Sequence, residues 1–173
     1  MDDMNKKLFE NIKNSISETV TVKKIGIAFS GGVDSTLISK ICSDMDFDVT
    51  LLTIGFHESH DILFAKHVNE FLKYPHHILE IDPDTFQSIS SKINQTIKTD
   101  NLSWNENCIA FHYVSKLANS LDLDTVITAN GIDELFCGYN AYREAFSGGE
   151  SQINEVMNTK LDNELKMMKA VNL

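Results

Sequence analysis

Four short runs of aliphatic and β-branched residues alternate with longer stretches of helical period in this chain of 173 residues. Short runs of this kind are typical of buried parallel strands, and here they span residues 25–29, 49–54, 77–81 and 125–129. Each run is followed by a stretch in which apolar residues recur at the spacing of one helix face. The alternation predicts an α/β fold in which a doubly wound, mostly parallel sheet is flanked by helices.

Two pairs of polar residues have the spacing of a capping box, in which two side chains satisfy free N–H groups at a helix start. The pairs are Asp84 with Gln87 and Ser103 with Glu106, which predict helices over residues 84–98 and 103–121.

The segment Ser147–Ser151 contains two glycines and predicts a flexible break before a final amphipathic helix. The apolar stripe of that helix consists of Ile153, Val156, Met157, Leu161, Leu165 and Met168. We expect residues 147–173 to be a linker and a helix that packs on the preceding domain, with a partner-binding or dimer surface as the alternative.

A glycine-rich segment with three hydroxyl side chains directly follows the first predicted strand and begins a helix: Ser30-Gly31-Gly32-Val33-Asp34-Ser35-Thr36. Ligands of open α/β sheets bind at this edge, and adjacent glycines let the backbone approach a ligand closely. The free N–H groups of a helix start favour an anion. Asp34 would repel that anion unless a divalent cation lay between them, so the segment predicts Mg²⁺-bound pyrophosphate.

Two commoner phosphate loops do not fit the same residues. A Walker loop counted from Gly26 needs Lys and then Ser or Thr where this chain has Gly32 and Val33. The Gly-x-Gly-x-x-Gly dinucleotide fingerprint is absent as well. Transfer of a γ-phosphate is therefore not expected.

The charge balance argues against a nucleic-acid partner. Fifteen Lys and Arg residues stand against 25 Asp and Glu, which gives a formal net charge of -10 and a surface that repels phosphate backbones. The three cysteines are far apart and have no zinc-ligand spacing. Since the sequence has neither a signal-peptide pattern nor a membrane-length apolar run, we expect a cytoplasmic protein with no membrane partner.

The glycine-rich segment resembles the PP-loop ATP pyrophosphatases, whose signature is Ser-Gly-Gly-x-Asp-Ser after the first strand of an adenine nucleotide alpha hydrolase-like fold. The resemblance implies that ATP is cleaved to AMP and pyrophosphate, and that Mg²⁺ is a cofactor. It also implies which residues hold the pyrophosphate with its metal: Ser30, Gly31, Gly32, Asp34 and Ser35.

A second motif follows the fourth predicted strand, Thr128-Ala129-Asn130-Gly131-Ile132-Asp133-Glu134-Leu135-Phe136-Cys137-Gly138-Tyr139. The residues themselves indicate a turn permitted by glycine and two adjacent carboxylates that begin a helix. Asp133 is a candidate metal ligand together with Asp34, because Mg²⁺ usually takes one or two protein carboxylates.

This motif resembles the synthetase domain of asparagine synthetases and their β-lactam synthetase relatives. The resemblance covers about residues 25–145 and implies a PP-loop nucleotide-binding synthetase domain over residues 1–146, with an N-terminal helix. It implies an ATP-dependent carbon–nitrogen ligase that adenylates a carboxylate, for which aspartate is a candidate, before ammonia or an amine attacks. By position, Phe29, Ile54, Ala129 and Gly131 would line the adenosine pocket.

One residue departs from that family. Asn130 stands where the resembling motif has a catalytic glutamate, and an amide can hydrogen-bond a substrate but cannot act as a carboxylate base. These 173 residues contain neither the family's glutaminase domain nor its later catalytic lysine. We therefore expect ammonia to come from solution or from a separate glutaminase subunit, and a homo-oligomer stays open.

Two other functions remain open. A nucleotide-binding regulatory module without turnover would need only the glycine-rich segment, and Asn130 favours it. A PP-loop enzyme that modifies a tRNA base would keep the same segment, but the net charge of -10 argues against it.

Overall fold

A computed structural model of the chain describes residues 3–98 and 101–171. The strands are β1 (Lys24–Ala28), β2 (Asp48–Gly55), β3 (His76–Glu80) and β4 (Val126–Ile127). The helices are α1 (Asp3–Thr19), α2 (Val33–Asp44), α3 (His60–Leu72), α4 (Pro83–Ile97), α5 (Leu102–Ser120), α6 (Ile132–Leu135), α7 (Asn140–Ala145) and α8 (Glu150–Val171). A short 3₁₀ turn, Phe146–Gly148, lies between α7 and α8.

The four strands form one parallel sheet in the order β3-β2-β1-β4. The chain moves outward from β1 to β3 and then returns to place β4 on the other side of β1, so the strand order reverses between β1 and β4. In open α/β sheets, ligands bind at the carboxyl ends of strands where the order reverses. This topology confirms the predicted α/β fold with a parallel sheet flanked by helices.

The chain divides into two compact units. The first unit comprises Met1–Phe86 and Ala110–Thr128 and contains the whole sheet. The second comprises Gln87–Ile109 and Ala129–Leu173 and contains α6 to α8. The domain boundaries given by the sequence, 1–146 and 147–173, stay a prediction.

The core of the first unit lies on both faces of β1 and β2. Strand residues such as Ile25, Ile27 and Leu51 are fully buried, as expected for central strands of a parallel sheet. On one face Leu52 packs against the second half of α5, through Val114, Leu117 and Ala118. On the other face Gly55 approaches Ile62 of α3 so closely that an added Cβ would overlap it.

Both predicted capping boxes are wrong, because an earlier residue caps each helix. The Asp84 N–H donates to Oδ1 of Asp82 at 3.0 Å, and Pro83 occupies the first helical position, where a missing N–H costs nothing. The Trp104 N–H donates to Oδ1 of Asn101 at 3.3 Å. The helices therefore begin at Pro83 and Leu102 instead of at Asp84 and Ser103.

The predicted break at residues 147–151 is shorter than expected. The 3₁₀ turn runs to Gly148 and α8 begins at Glu150, so only Gly149, with φ of +80°, separates the two. Strand β4 is also shorter than the predicted run 125–129, since only Val126 and Ile127 pair with β1.

The packed face of α8 includes Ile153, Val156, Met157 and Leu161 of the predicted apolar stripe, all half-buried, but differs from the stripe toward the end of the helix. Leu165 is 57% exposed, whereas Met167 is fully buried. Residues 153, 156, 157, 160, 164 and 167 follow the helical spacing of three and four and are all buried or half-buried. The packed face therefore includes Lys160 and Glu164, while the side chain of Met168 lies outside the described residues. Among the described residues, no helix combines the length and the apolar character that crossing a membrane requires.

Candidate functional site

The glycine-rich segment of the first unit folds into a turn in which several groups form hydrogen bonds with the Ser35 hydroxyl. The buried Ser35 hydroxyl donates to the Gly32 carbonyl at 3.2 Å and accepts the Ser30 N–H at 3.3 Å. The Ser30 hydroxyl lies 3.2 Å from that of Ser35 and accepts the Gly32 N–H at 3.2 Å. Thr36 closes the turn by donating its hydroxyl to the Gly31 carbonyl at 3.3 Å. These bonds fix the loop before any ligand arrives.

Two independent features of this turn require glycine at position 31. Its φ of +77° lies in the left-handed region that L-residues with a Cβ avoid. A Cβ at this position would also lie 3.1 Å from the Ala65 Cα and 3.1 Å from the Phe64 ring, both on α3. The loop therefore depends on a residue without a side chain where its backbone meets α3.

The first turn of α2 offers groups that suit a phosphate and its metal. Within the described residues, no acceptor receives the backbone N–H groups of Val33, Asp34 and Ser35, as is usual at a helix start. The half-buried Asp34 carboxylate takes part in no hydrogen bond or ion pair within the same residues. An array of donors beside an unpaired carboxylate matches an anion that carries its own cation.

The predicted adenosine residues of the first unit lie at the carboxyl ends of β1 and β2. Phe29 is buried, its N–H donates to the Leu52 carbonyl at 2.8 Å, and its carbonyl accepts the Thr53 hydroxyl at 2.6 Å. Ile54 is half-buried and pairs with Leu79 of β3. The Phe29 N–H and carbonyl are therefore both engaged with β2.

His76 lies half-buried at the start of β3, and its Nε2 is 2.8 Å from the Thr53 hydroxyl oxygen. Its ring packs edge-on against Phe29, with the ring centroids 5.8 Å apart. Burial lowers the pKa of His76, and the positive charges of His77 and Lys66 lower this pKa further. His76 is therefore neutral in the folded protein at neutral pH.

This depressed pKa predicts a pH-dependent stability. Since the unfolded chain binds a proton at His76 more readily than the folded chain does, His76 should lower the free energy of unfolding as pH falls below about 6.5. We expect the melting temperature of the wild type to drop more between pH 7 and pH 5 than that of His76→Gln. The control is His112→Gln, at an exposed histidine whose charge is not among the causes that lower the pKa of His76, and this variant should keep the wild-type slope. Equal slopes in wild type and His76→Gln would contradict the assignment.

The second motif forms a compact turn within the second unit. Gly131 precedes α6 with φ of +95°, as the sequence predicts for a turn that needs glycine. The Gly138 N–H returns to the Asp133 carbonyl at 2.9 Å, and a Cβ at Gly138 would overlap the Asp133 carboxylate. Gly138 thus leaves the space in which the carboxylate of Asp133 lies.

Glu134, beside Asp133, is a buried structural residue. It is 4% exposed, and its Oε1 accepts the Tyr139 hydroxyl at 2.7 Å. Its backbone carbonyl accepts the fully buried Tyr142 hydroxyl at 2.6 Å. Burial and the Glu134 carboxylate raise the pKa of Tyr139, and burial raises that of Tyr142, so both phenols stay protonated donors. Lys160 adds a cation 4.7 Å from the centre of the Tyr139 ring.

Asn130 forms a hydrogen bond with the carboxylate of Glu164, a residue that the sequence analysis did not identify. Its Nδ2 donates to Oε1 of Glu164, on α8, at 3.2 Å. Burial raises the pKa of Glu164, and so does repulsion from Glu134, while the Asn130 hydrogen bond opposes both effects. The amide of Asn130 is therefore held beside a half-buried acid.

Cys137 occupies a backbone conformation that suits glycine, with φ of +60°. A left-handed residue with a Cβ costs about 1–2 kcal/mol, while glycine costs roughly 0.5–1 kcal/mol in chain entropy. We expect Cys137→Gly to raise the melting temperature by about 1–4 °C. Cys137→Val should lower it, because a β-branched side chain tolerates this conformation less well. A loss of stability in Cys137→Gly, measured by thermal denaturation, would contradict this interpretation.

The structure thus distributes the predicted site residues over both units. Phe29, Ser30, Gly31, Gly32, Asp34, Ser35 and Ile54 lie in the first, and Ala129, Asn130, Gly131 and Asp133 lie in the second. Hydrogen bonds join the loop residues to one another and Asn130 to Glu164. A metal shared by Asp34 and Asp133 stays a prediction.

Three polar residues of these sites were not predicted as site residues from the sequence. Thr53 and His76 are 23 residues apart and meet only through the register of β2 and β3. Glu164 lies on a helix face that apolar residues dominate. The buried run around Thr53 gives a weak signal, since a threonine in a buried strand needs a hydrogen-bond partner.

Comparison with known proteins identifies relatives along most of the chain. The family model described as asparagine synthase matches residues 8–172. A putative glutamine-hydrolyzing asparagine synthetase of Methanocaldococcus jannaschii is 30% identical over 146 residues, which is 83% of this chain and 27% of the relative. The glutamine-hydrolyzing asparagine synthetase 1 of Bacillus subtilis is 26% identical, over 82% of this chain and 23% of the relative. The chain spans about a quarter of the length of these curated relatives.

Solved structures share the fold at low sequence identity. The NH3-dependent NAD synthetase of Campylobacter jejuni has a TM-score of 0.53 and 21% identity, with 81% of this chain and 62% of that chain covered. The glutamine-dependent NAD+ synthetase of Acinetobacter baumannii, in complex with ADP, also has a TM-score of 0.53, at 18% identity, over 76% of this chain and 26% of that chain. These likenesses agree with the adenine nucleotide alpha hydrolase-like fold. With the family model matching nearly the whole sequence, the chain belongs to the asparagine synthase family.

Proposed function

We propose that this chain binds ATP with Mg²⁺ at residues 29–36 and serves an amide-forming ligase that releases AMP and pyrophosphate. The observation that carries the proposal is the loop itself, in which Gly31, Gly32 and the Ser35 hydroxyl shape a turn. Beside this turn lie N–H groups and the Asp34 carboxylate, which have no partner among residues 3–98 and 101–171. Family membership supports the reaction class, since the named relatives are asparagine synthetases.

The loop suits a leaving pyrophosphate better than a transferred phosphoryl group. The Ser30 hydroxyl and the N–H groups at the start of α2 are neutral donors that suit phosphate oxygens without a lysine, while the Ser35 hydroxyl donates to the Gly32 carbonyl and shapes the loop. In the proposed reaction, a carboxylate oxygen of the acceptor attacks the α-phosphorus of ATP, and the bond to the bridging oxygen of the β-phosphate breaks. Ammonia or an amine then attacks the acyl carbon, and AMP leaves.

The residues present fit a metal of the Mg²⁺ type. Within the described part of the chain, no group of three or more His, Cys, Asp or Glu side chains forms a metal cluster. An ion held by one carboxylate, phosphate oxygens and water matches the Asp34 carboxylate, which has no partner within the described residues. When bound, Mg²⁺ would neutralise charge on the pyrophosphate. Asp34 is the proposed ligand, and Asp133 is the second candidate.

The substrates follow from the names of the relatives and from the predicted pocket. Phe29, Ile54, Ala129 and Gly131 are proposed to contact adenosine. We propose a small carboxylate as acceptor, with aspartate first, and ammonia as the nitrogen source, free or from a separate glutaminase subunit. One structural neighbour is named NH3-dependent and another glutamine-dependent, and both sources are compatible with the fold.

A second candidate function is a nucleotide-binding module without turnover. Asn130 favours it, since this amide donates to Glu164 where the resembling motif carries a carboxylate. Both candidates predict ATP binding, but only the ligase predicts AMP and pyrophosphate.

The deciding experiment measures both products by chromatography after incubation of the chain with ATP, Mg²⁺, ammonium and a panel of amino acids. The ligase proposal predicts AMP and pyrophosphate in equal amounts with at least one acceptor. Tight ATP binding without either product across the panel would favour the non-catalytic module. ADP and phosphate as products would contradict the proposed site of cleavage.

A further inference from the structure

A line of hydrogen bonds runs from β3 through β2 into the glycine-rich loop. The Thr53 hydroxyl oxygen lies 2.6 Å from the Phe29 carbonyl oxygen and 2.8 Å from Nε2 of His76. Thr53 is 2% exposed, so water does not compete for these bonds. The line therefore links three neighbouring strands at the edge where the loop begins.

The direction of each bond follows from the donors available. A carbonyl only accepts, so the single hydroxyl hydrogen of Thr53 points to the Phe29 carbonyl. His76 must then donate from Nε2, which fixes its neutral tautomer with the hydrogen on Nε2. The T-shaped contact with the Phe29 ring holds the imidazole in the same orientation.

The peptide group between Phe29 and Ser30 connects these hydrogen bonds to those of the loop. Because a peptide unit is planar, the direction of the Phe29 carbonyl sets the direction of the Ser30 N–H. That N–H donates to the Ser35 hydroxyl at 3.3 Å, and the Ser35 hydroxyl donates to the Gly32 carbonyl at 3.2 Å. Bonds in such a chain polarise and orient one another.

We propose that Thr53 and His76 are positioning residues of the nucleotide loop, which fix the Phe29–Ser30 peptide plane and through it the Ser35 hydroxyl. The inference rests on the proposed function, in which this loop binds ATP. Loss of the Thr53 hydroxyl leaves a buried carbonyl without its partner and frees the peptide plane to rotate.

Thr53→Val tests the proposal because valine has the shape of threonine without its hydroxyl. We expect the affinity for ATP with Mg²⁺, measured by calorimetry well below the melting temperature, to fall by about five- to tenfold. Thr53→Ser restores a hydroxyl and should bind within about twofold of the wild type. Thr50→Val is the matched control on the same strand, since Thr50 makes no side-chain hydrogen bond within the described residues. Wild-type affinity in a folded Thr53→Val would overturn the proposal.

Variants of His76 test its positioning role independently of Thr53. His76→Gln keeps an N–H donor near the Nε2 position and should retain most of the affinity. His76→Leu removes this donor but leaves the Thr53 hydroxyl on the Phe29 carbonyl, so it should lose about threefold in affinity, less than Thr53→Val. The exposed His77 supplies the control, His77→Leu, which should bind normally. Equal affinities in His76→Leu and the wild type would remove His76 from the proposal.

A second measurement separates this inference from the proposed function. If the wild type bound no ATP, the proposed function would fail, but the positioning role would still predict a change in the ligand-free protein. Amide hydrogen exchange followed by NMR should then show the Ser30 N–H exchanging about tenfold faster in Thr53→Val than in Thr50→Val. Unchanged exchange at Ser30 would overturn the positioning role whatever the ligand.

Discussion

Asp34→Asn should weaken the binding of ATP with Mg²⁺ by about 100-fold or more, which corresponds to roughly 2.7 kcal/mol. Asparagine keeps the shape of the side chain but loses the charge that would hold the metal, and Asp34 has no partner within the described residues whose loss would disturb the fold. Equilibrium dialysis with labelled ATP measures the effect, and thermal denaturation checks that the variant is folded.

The matched control for Asp34→Asn is Asp84→Asn. Asp84 is likewise the second residue of its helix, α4, so this variant removes the same charge from the same position in another first turn. It should bind ATP as the wild type does. If the two variants lost affinity equally, the effect would come from overall charge and the proposed role of Asp34 would be wrong.

Gly31→Ala should lower both stability and ATP binding. The φ of +77° costs an alanine about 1–2 kcal/mol, and the added methyl would lie 3.1 Å from the Ala65 Cα, in backbone that cannot move aside. We expect a total loss of about 2–3 kcal/mol, a melting temperature lower by roughly 4–12 °C, and a loop displaced from its ligand. Thermal denaturation and ATP titration measure the two effects.

Gly131→Ala separates backbone strain from crowding. Gly131 also has a positive φ, +95°, in the left-handed region, but nothing lies within 4 Å of an added Cβ. This variant should lose only the strain of about 1–2 kcal/mol, measured by thermal denaturation. A Gly31→Ala protein no less stable than Gly131→Ala would contradict the close contact between the loop and α3.

The strands were predictable because their signal is local. The runs 25–29, 49–54 and 77–81 each overlap a strand of the structure to within one residue at either end, and β1 and β2 carry the near-continuous buried residues expected of central parallel strands. The strand edge at which the loop forms followed from the same pattern. The sequence also predicted turns that need glycine at Gly31 and Gly131, and both residues have a positive φ.

The predicted helix caps and the predicted packed face of α8 were wrong where several nearby residues could make the same contact. Asp82 and Asn101 cap their helices, although Asp84 and Ser103 fit the capping-box spacing equally well in sequence. The face of α8 was misjudged because Lys160 and Glu164 are polar and a hydrophobic pattern passes over them. Their partners are Tyr139 and Asn130, which lie more than 20 residues earlier in the chain.

Calorimetric titration of the wild-type chain tests the central claim, that residues 29–36 bind the phosphates of ATP together with a metal. ATP should bind at a single site in the presence of Mg²⁺ and much more weakly in its absence, because Asp34 repels an uncompensated phosphate. Pyrophosphate with Mg²⁺ should compete with ATP, whereas AMP, which lacks the β- and γ-phosphates, should bind far less tightly. Binding of ATP that is indifferent to Mg²⁺, or AMP that binds as tightly as ATP, would contradict the account.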